Sequence, residues 1–264
     1  MLPVLQIGPF ALQTPGLVLL LGLWLGLTLA ERLAPRFQSD ANALYNLSFT
    51  ALVAGVLGAR LSYIIQYIDA FISSPISLIS LNPALLDPIG GAAIGIIAAV
   101  VYANRVQLPL WPTLDALAPL LAVLSIALGL SHFASGDAFG MQTNLPWGID
   151  LWGLKRHPTQ IYEVILASLI LWAILPPKEG ASKPTSELVG GTFWRFLALS
   201  AGARLFIEGL RGDSITLDNG IRTAQIIAWA VLAISLWMLN RRKSKKNNVS
   251  HANALHTDGE PRIR

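Results

Sequence analysis

The sequence has 264 residues, of which 53% are hydrophobic and 13% charged, and a formal net charge of +4. Soluble domains carry roughly 25% charged residues, so this composition excludes an ordinary soluble domain and predicts a single helical bundle in a membrane. The sequence contains no cysteine, which excludes disulfides, thiolate metal sites and a cysteine nucleophile.

Seven apolar stretches are long enough to cross a bilayer, for which a helix needs about 20 residues. The first stretch follows a segment without basic residues, so we interpret it as a retained span and not as a cleaved signal peptide. In chain order the predicted spans are 14–34, 45–67, 85–103, 114–134, 158–176, 188–209 and 223–240. The polar residues after 240 predict a disordered tail. The sequence therefore predicts a seven-helix domain over residues 1–240 and a basic tail over residues 241–264.

The basic residues are unequally divided between the two predicted sides of the membrane. Most of the 19 Lys and Arg residues fall on the side that carries the tail, whereas the opposite side holds only Lys155, Arg156, Arg211 and Arg222. The side richer in Lys and Arg is normally cytoplasmic. We therefore expect the N-terminus outside, the C-terminus in the cytoplasm, and the tail near anionic lipid headgroups. Nucleic-acid binding is not expected.

Several ionisable residues lie inside or at the edge of predicted spans, where charges are costly and usually mark a functional site. With the predicted orientation they all fall in the outer half of the bilayer: Arg60, His132, His157, Glu163, Arg204 and Glu208. This convergence predicts a reaction site near the outer membrane face.

The sixth span ends with Arg204, Glu208 and Arg211. Spacings of four and seven residues would place all three on one helix face. Two guanidinium groups around one carboxylate form a net positive set of forked donors, which suits a phosphate group. The alternative is a structural ion network between helices.

The fifth span begins with the heptapeptide His157 to Glu163, in which Pro158 fits the first turn of a helix. Gln160 and Glu163 follow on roughly the same face, and His157 can exchange protons near neutral pH. The alternative for His157 is a helix-capping or headgroup-contacting role.

Arg60 and His132 complete the candidate site. Arg60 lies deep in the second span and needs a partner, which Glu163, Glu208 or a lipid phosphate could supply. His132 follows Ser131, but neighbouring helical residues do not face each other, so this is not a catalytic pair. Metal binding by His132 and His157 is conceivable, but two histidines without a clear third ligand are weak evidence for it. In the third span, Gly90, Gly91 and Gly95 predict close helix packing.

These motifs resemble those of the bacterial prolipoprotein diacylglyceryl transferase family. Residues 157–163 are similar to the family's His-Pro-Ser/Thr-Gln-Leu-Tyr-Glu motif, and residues 204–211 to its Arg-x-x-x-Glu-x-x-Arg segment. Residues 58–63 and 90–95 are similar to its Gly-Gly/Ala-Arg-Leu-Gly-Tyr and Gly-Gly-Leu-Ile-Gly stretches. The order and spacing agree over residues 10–240.

The chain departs from the family pattern at positions that bear on chemistry. Gly129 stands where the family has an arginine, His132 replaces an asparagine, and Asp137 replaces a glutamate. Ile89 occupies the place of a histidine, and Ser200 that of a tyrosine. One phosphate-binding arginine and one candidate base of the family are therefore absent.

The resemblance implies that a diacylglyceryl group moves from phosphatidylglycerol to the thiol of a lipobox cysteine in a preprolipoprotein, at the bacterial plasma (inner) membrane. The expected partners are this lipid and the signal peptide that carries the lipobox, and no metal or cofactor is expected. The catalytic residues would be His157, His132, Arg204 and Glu208. The phospholipid-binding residues would be Arg60, Arg204, Arg211, Gln160, Tyr162 and Glu163. His157 or His132 would accept the thiol proton.

Two other classes of function remain as alternatives. A phospholipid-binding relative could have kept the phosphate cradle and lost catalysis. A seven-span transporter would more naturally place its charges near the midplane of the bilayer, and a retinal photoreceptor would need a lysine that the seventh span lacks.

Overall fold

The computed structural model describes residues 4–7, 10–76, 85–176, 189–217 and 220–257. The helices are α1 Thr14–Leu33, α2 Ala41–Gln66, α3 Ile68–Ser73, α4 Pro88–Arg105, α5 Leu110–Ser135, α6 Thr159–Ile174, α7 Gly191–Glu208 and α8 Thr223–Thr257. Two short antiparallel hairpins join β1 Val4–Ile7 to β2 Phe10–Gln13, and β3 Ile149–Leu151 to β4 Leu154–Arg156. A single 3-10 turn, Ala34–Phe37, follows α1.

Each of the seven predicted spans coincides with a helix, so the largely helical membrane architecture is confirmed. Within the described ranges, five helical segments are long and apolar enough to cross a membrane: Thr14–Phe37, Ala41–Gln66, Pro88–Arg105, Leu110–Ser135 and Thr223–Ser244. The apolar helix α6 is shorter than these, and α7 carries charges at several positions. The count of seven spans and the orientation of the termini therefore stay predictions.

The chain divides into two compact units. One unit contains Met1–Ala30 and Leu117–Arg264, and the other contains Glu31–Ala116. Helix α8 continues to Thr257, past the predicted end of the seventh span at residue 240. Residues 258–264 lie outside the described residues, and the division of the chain at residue 240 stays a prediction.

In the Glu31–Ala116 unit, α2 and α4 pack closely along a line of small residues. A Cβ atom on Gly91 would lie 2.8 Å from the Ala59 Cβ and 2.9 Å from the Gly55 carbonyl oxygen. A Cβ atom on Gly95 would lie 2.9 Å from the Ala51 carbonyl oxygen. Real side chains do not fit at these distances, so the predicted role of the glycines in close helix packing is confirmed.

The start of α4 is capped by Asp87, which also joins α4 to the end of α2. Its carboxylate accepts hydrogen bonds from the backbone N–H of Gly90 at 3.0 Å, from Ser62 Oγ at 2.6 Å and from Gln66 Nε2 at 2.9 Å. A carboxylate at this position satisfies N–H groups that have no partner within the helix. The sequence reading missed this cluster.

In the other unit, α5, α6 and α7 pack around a small apolar core. Its buried residues are Ala118, Ala122, Ile170, Ile174 and Phe196. Helix α1 approaches α5 closely at Gly26, where an added Cβ would lie 2.6 Å from Leu120 Cδ1. The packing of α5, α6 and α7 also brings polar residues of the three helices together.

Candidate active site

Glu163 on α6 lies at the centre of the polar residues in the unit formed by Met1–Ala30 and Leu117–Arg264. Its Oε2 lies 3.1 Å from His132 Nδ1 on α5. Its Oε1 lies 3.6 Å from Arg204 Nη1 on α7 and 3.5 Å from Arg211 Nη1 beyond α7. The Glu163 side chain is only 13% exposed. One shielded carboxylate therefore holds three side chains that can carry positive charge.

Arg204 is the accessible guanidinium of this cluster. Its side chain is 40% exposed, and its Nη2 lies 3.0 Å from Oε2 of Glu208, which is 2% exposed. Among the described residues, this Glu208 oxygen accepts no hydrogen bond of acceptable geometry. Its contact with Arg204 is therefore an ion pair without good hydrogen-bond alignment. The N–H groups of Arg204 are thus held near carboxylates but can still turn toward an incoming anion.

Arg211 is bound more firmly than Arg204. Its Nε and Nη2 donate to the two carboxylate oxygens of Asp213 at 2.9 and 2.8 Å, a paired arrangement of high specificity. Burial lowers the pKa of Arg211, but the hydrogen bond to Asp213 and the charges of Asp213, Glu163 and Glu208 outweigh it and raise the pKa above its usual value. Arg211 therefore remains charged throughout the physiological range.

The position of Arg211 corrects one step of the sequence argument. Helix α7 ends at Glu208, so Arg211 does not continue the helix face that carries Arg204. The backbone N–H of Met141 donates to the Leu210 carbonyl oxygen at 2.8 Å, and that of Gly212 donates to the Phe139 carbonyl oxygen at 2.9 Å. These loop contacts, and not helical periodicity, bring Arg211 to Glu163.

The balance of charge also differs from the prediction. The sequence predicted two guanidinium groups around one carboxylate, with Glu208 as that carboxylate. The structure places Glu163 between the two arginines and adds Asp213, so that three carboxylates face two guanidinium groups. The cluster is therefore not a net positive cradle, and Arg204 is the member best exposed to an anion.

The first turn of α6 holds the loop that follows α5. Thr159 Oγ1 donates to the Ala138 carbonyl oxygen at 2.6 Å, and Gln160 Nε2 donates to the Asp137 carbonyl oxygen at 2.8 Å. Both side chains are fully buried, and Gln160 Oε1 has no hydrogen-bond partner among the described residues. Gln160 thus has a structural contact here, and its predicted contact with phospholipid stays a prediction.

His157 has different neighbours from His132. Its backbone N–H donates to the Met141 carbonyl oxygen at 3.0 Å, and its ring lies edge-on to Tyr162 with 6.3 Å between centroids. The Tyr162 hydroxyl oxygen accepts a hydrogen bond from Trp147 Nε1 at 2.9 Å. The Nδ1 atom of His157 is buried without a hydrogen-bond partner in the part of the chain that the structure describes. Of the two histidines, His132 is the one in contact with Glu163.

The structure explains why the arginine of the family motif would not fit at position 129. A Cβ atom at Gly129 would lie 2.9 Å from Val164 Cγ2, 3.2 Å from the Val164 backbone nitrogen and 3.3 Å from the Gln160 carbonyl oxygen. At this point the backbone of α5 packs directly against α6, at the Val164 side chain and the α6 backbone. A long side chain at position 129 would force them apart.

Arg60 belongs to the Glu31–Ala116 unit. Its Nη1 donates to the Leu85 carbonyl oxygen at 3.1 Å, and its guanidinium carbon lies 5.5 Å from the centre of the Phe71 ring. Both contacts stabilise a partly buried guanidinium. The partners that the sequence suggested for Arg60, Glu163, Glu208 or a lipid phosphate, stay predictions.

A cavity of about 170 Å³ opens between α5, α6 and α7 at the cluster. His132, Glu163 and Arg204 line its polar end, while the remainder is lined by apolar side chains such as Leu128 and Leu166 together with two serines, Ser125 and Ser200. Among the described residues, no group of three His, Asp or Glu side chains is placed to hold a metal ion. The cavity can therefore offer a proton acceptor and an anion contact beside an apolar surface.

One participant was missed by the sequence reading. Asp213 forms the paired contact with Arg211, and its only signal in the sequence is its position two residues after that arginine. Ser200, which stands where the family has a tyrosine, lines the cavity beside Arg204.

Comparison with known proteins identifies the family. The prolipoprotein diacylglyceryl transferase family matches residues 3–241. The chain belongs to this family. Among its relatives, the phosphatidylglycerol–prolipoprotein diacylglyceryl transferase of a Nostoc species is 31% identical over 260 residues, which cover 91% of this chain and 90% of the relative. The protein of the same name from Trichormus variabilis is 31% identical, over 94% of this chain and 93% of its own length. The one from Geobacter sulfurreducens is 27% identical, over 90% of this chain and 95% of its own length.

Family membership confirms the resemblance drawn from the motifs. The protein is a transferase, and its apolar helices are those of a membrane protein. The comparisons do not support the alternative of a phospholipid-binding relative without catalysis.

Proposed function

We propose that the protein transfers the diacylglyceryl group of phosphatidylglycerol to the thiol of a lipobox cysteine in the signal peptide of a preprolipoprotein. The observation that carries the proposal is the contact of Glu163 with both His132 and the exposed Arg204 at one end of a cavity. The relatives named for this reaction support it.

The reaction sets three chemical requirements. The cysteine thiol, with a pKa of about 8.5, must lose its proton to a base. Its sulfur then forms a bond to the terminal glycerol carbon of the diacylglyceryl group while the bond from that carbon to the phosphate oxygen breaks. Glycerol phosphate leaves with the bonding electrons, so positive groups must stabilise its developing charge.

Arg204 fits the contact with phosphate. Its exposed guanidinium lies in the cavity and can present two parallel N–H groups to phosphate oxygens. Glu163 and Glu208 orient it through ion pairs. Arg211, held by Asp213, adds positive charge behind Glu163. The family resemblance also implies that Arg60, Gln160 and Tyr162 bind phospholipid, and these roles stay predictions.

His132 fits the role of proton acceptor better than His157. An ionised Glu163 only accepts hydrogen bonds, so His132 Nδ1 is the donor in their 3.1 Å contact. That tautomer leaves the lone pair of His132 Nε2 free to take the thiol proton. The Glu163 carboxylate thus orients the imidazole ring of His132 and stabilises the ring when it becomes charged. His132 occupies the position where the family motif has asparagine.

The proposal includes the arrangement in the membrane. Seven spans, with the N-terminus outside and the C-terminus in the cytoplasm of a bacterial cell, would place the cluster near the outer face of the inner membrane. Signal peptides and phospholipids of the outer leaflet meet at that level. The unequal distribution of Lys and Arg supports this orientation.

One assay tests the proposed function. The purified protein is incubated with phosphatidylglycerol vesicles and a lipobox peptide, and mass spectrometry measures the peptide. We expect a product heavier by one diacylglyceryl group on the cysteine, with release of glycerol phosphate. A peptide with serine in place of cysteine is the control. Absence of the adduct with folded protein and accessible peptide would contradict the proposed function.

A further inference from the structure

An apolar groove of about 510 Å³ runs along the surface where α6 and α7 pack together. All of its lining residues are apolar. Its rim includes Leu169 and Trp172 from α6 with Leu199 and Phe206 from α7, and the small residue Gly202 also lines it. Trp172 is 77% exposed, so the protein itself does not cover the groove.

The groove lies directly beside the cavity at the proposed catalytic site. Leu166, Ile170 and Ala203 line both spaces. Leu166 is one helical turn from Glu163, and Ala203 directly precedes Arg204. From there the groove follows α6 to Ala173, a distance of about 10 Å from Leu166 at 1.5 Å per residue. It thus leads away from the charged end, toward the opposite end of α6 and the middle of α7.

We propose that this groove binds one acyl chain of the phospholipid whose phosphate is bound at Arg204. The inference rests on the proposed function. The acyl chains of a phospholipid start a few bonds from its phosphate, and the groove starts beside the exposed guanidinium. A bilayer lipid with its headgroup at the charged end also directs its chains along the helices and away from that end, which is the course of the groove. Its residues would then determine which acyl chains the enzyme accepts.

Gly202 allows this groove to be filled without disturbing the fold. No heavy atom lies within 4 Å of the position of a Cβ atom on Gly202, so a new side chain there points into open space. Gly202→Phe should occupy the groove near the catalytic cavity. Ala173→Phe should block only its far end. Gly16 on α1 has equally open surroundings, and Gly16→Phe is the matched control.

Fluorescence of Trp172 measures binding without requiring transfer. The full chain is placed in phosphatidylcholine vesicles that contain a minor amount of lipid with brominated acyl chains, either phosphatidylglycerol or phosphatidylcholine. The Trp172 signal is the difference between the wild type and Trp172→Phe. We expect brominated phosphatidylglycerol to quench this signal with about tenfold higher apparent affinity than brominated phosphatidylcholine. Arg204→Gln should abolish that preference, Gly202→Phe should abolish the selective quenching, and Gly16→Phe should change neither.

Transfer kinetics give the second readout. Gly202→Phe should raise the KM for long-chain phosphatidylglycerol about tenfold, while Ala173→Phe should raise it only for long chains and spare short ones. Equal quenching by both lipids, or selective quenching that survives both substitutions, would overturn the groove inference and leave the proposed function standing. Selective quenching without transfer by the wild type would support the groove as a lipid site and overturn the proposed function.

Discussion

At the scale of single residues, the Glu163 carboxylate contacts both the proposed proton acceptor and the proposed phosphate-binding arginine. One of its oxygens contacts His132, and the other contacts Arg204 and Arg211. Because the carboxylate is largely shielded from water, these contacts are stronger than they would be at an exposed surface. The proposed proton acceptor and the proposed phosphate contact are thereby held at fixed positions beside the same cavity.

Arg204 should be the least replaceable of these residues. Arg204→Lys keeps the charge but removes the planar pair of donors, so we expect transfer to fall by about 10²-fold or more while the protein remains folded. The measurement is the rate of adduct formation at saturating peptide. Arg195→Lys, near the other end of α7, is the control and should retain near-normal transfer. Near-normal transfer by Arg204→Lys would show that paired hydrogen bonds to phosphate are not needed.

His132→Asn restores the residue of the family motif but removes the proposed proton acceptor. Loss of a general base typically costs about 10²–10⁴ in rate, and we expect a fall within that range at pH 7. Transfer should recover partly as the pH rises, because the peptide thiol, with a pKa of about 8.5, then ionises unaided. The rate of transfer between pH 6 and pH 9 provides the test.

His157→Asn is the comparison that separates the two candidate bases. It should not show the same recovery at high pH, because its ring contacts Tyr162 and not the Glu163 carboxylate. If His157→Asn recovers with rising pH and His132→Asn keeps the wild-type pH profile, the base has been assigned to the wrong histidine.

At the scale of the secondary-structure elements, glycine sets how closely helices approach. Gly91 and Gly95 allow α4 to pack on α2, and Gly129 allows α5 to pack on α6. The contact at Gly129 lies three residues before His132, so it also determines how near His132 comes to Glu163. Replacement of the family arginine by glycine at this position therefore changes the local packing as well as the charge.

Gly129→Ala should destabilise the protein by about 1–3 kcal/mol, because its new Cβ would overlap Val164 Cγ2. Gly129→Arg should destabilise it further and should not raise transfer, although it restores the motif. Thermal unfolding in detergent measures the first effect, and the adduct assay measures the second. Val164→Ala should relieve part of the cost of Gly129→Ala. A stable and more active Gly129→Arg would contradict this account of the packing.

At the scale of the whole molecule, the proposed orientation controls where the chemistry occurs. The positive-inside distribution predicts that a reporter fused after residue 264 is active in the cytoplasm. A reporter inserted at the turn between β3 and β4, next to Gly153, should be active only outside. Exposure of the C-terminal reporter on the outer side would move every proposed catalytic residue to the opposite face and contradict the reaction site.

Much of the architecture could be predicted from the sequence because the requirements of a membrane span are local. A continuous run of about 20 apolar residues is sufficient to predict a helix, so each of the seven predicted spans coincides with an observed helix. The hairpins β1–β2 and β3–β4 are too short to give such a signal. The predicted end of the seventh span at residue 240 does not coincide with the end of a helix, because α8 continues to Thr257.

The candidate residues were also visible in the sequence, because charges within apolar runs are rare and their order matches a family motif. Their partners were not. Arg211 reaches Glu163 through loop contacts beyond the end of α7, and it pairs with Asp213, which no motif singled out. The sequence showed that Gly129 replaces the family's arginine. Only the close approach of α5 and α6 shows that a side chain larger than that of glycine does not fit there.

The sequence by itself therefore determined the membrane setting, the helices, the family and most of the charged residues of the site. Only the tertiary structure decided that Glu163 is the shared carboxylate, that His132 and not His157 contacts it, and that Arg204 is the exposed guanidinium. The physical reason is that hydropathy and motif spacing act along the chain. Ion pairing and burial depend instead on how α5, α6 and α7 pack, which brings together residues that are far apart in sequence.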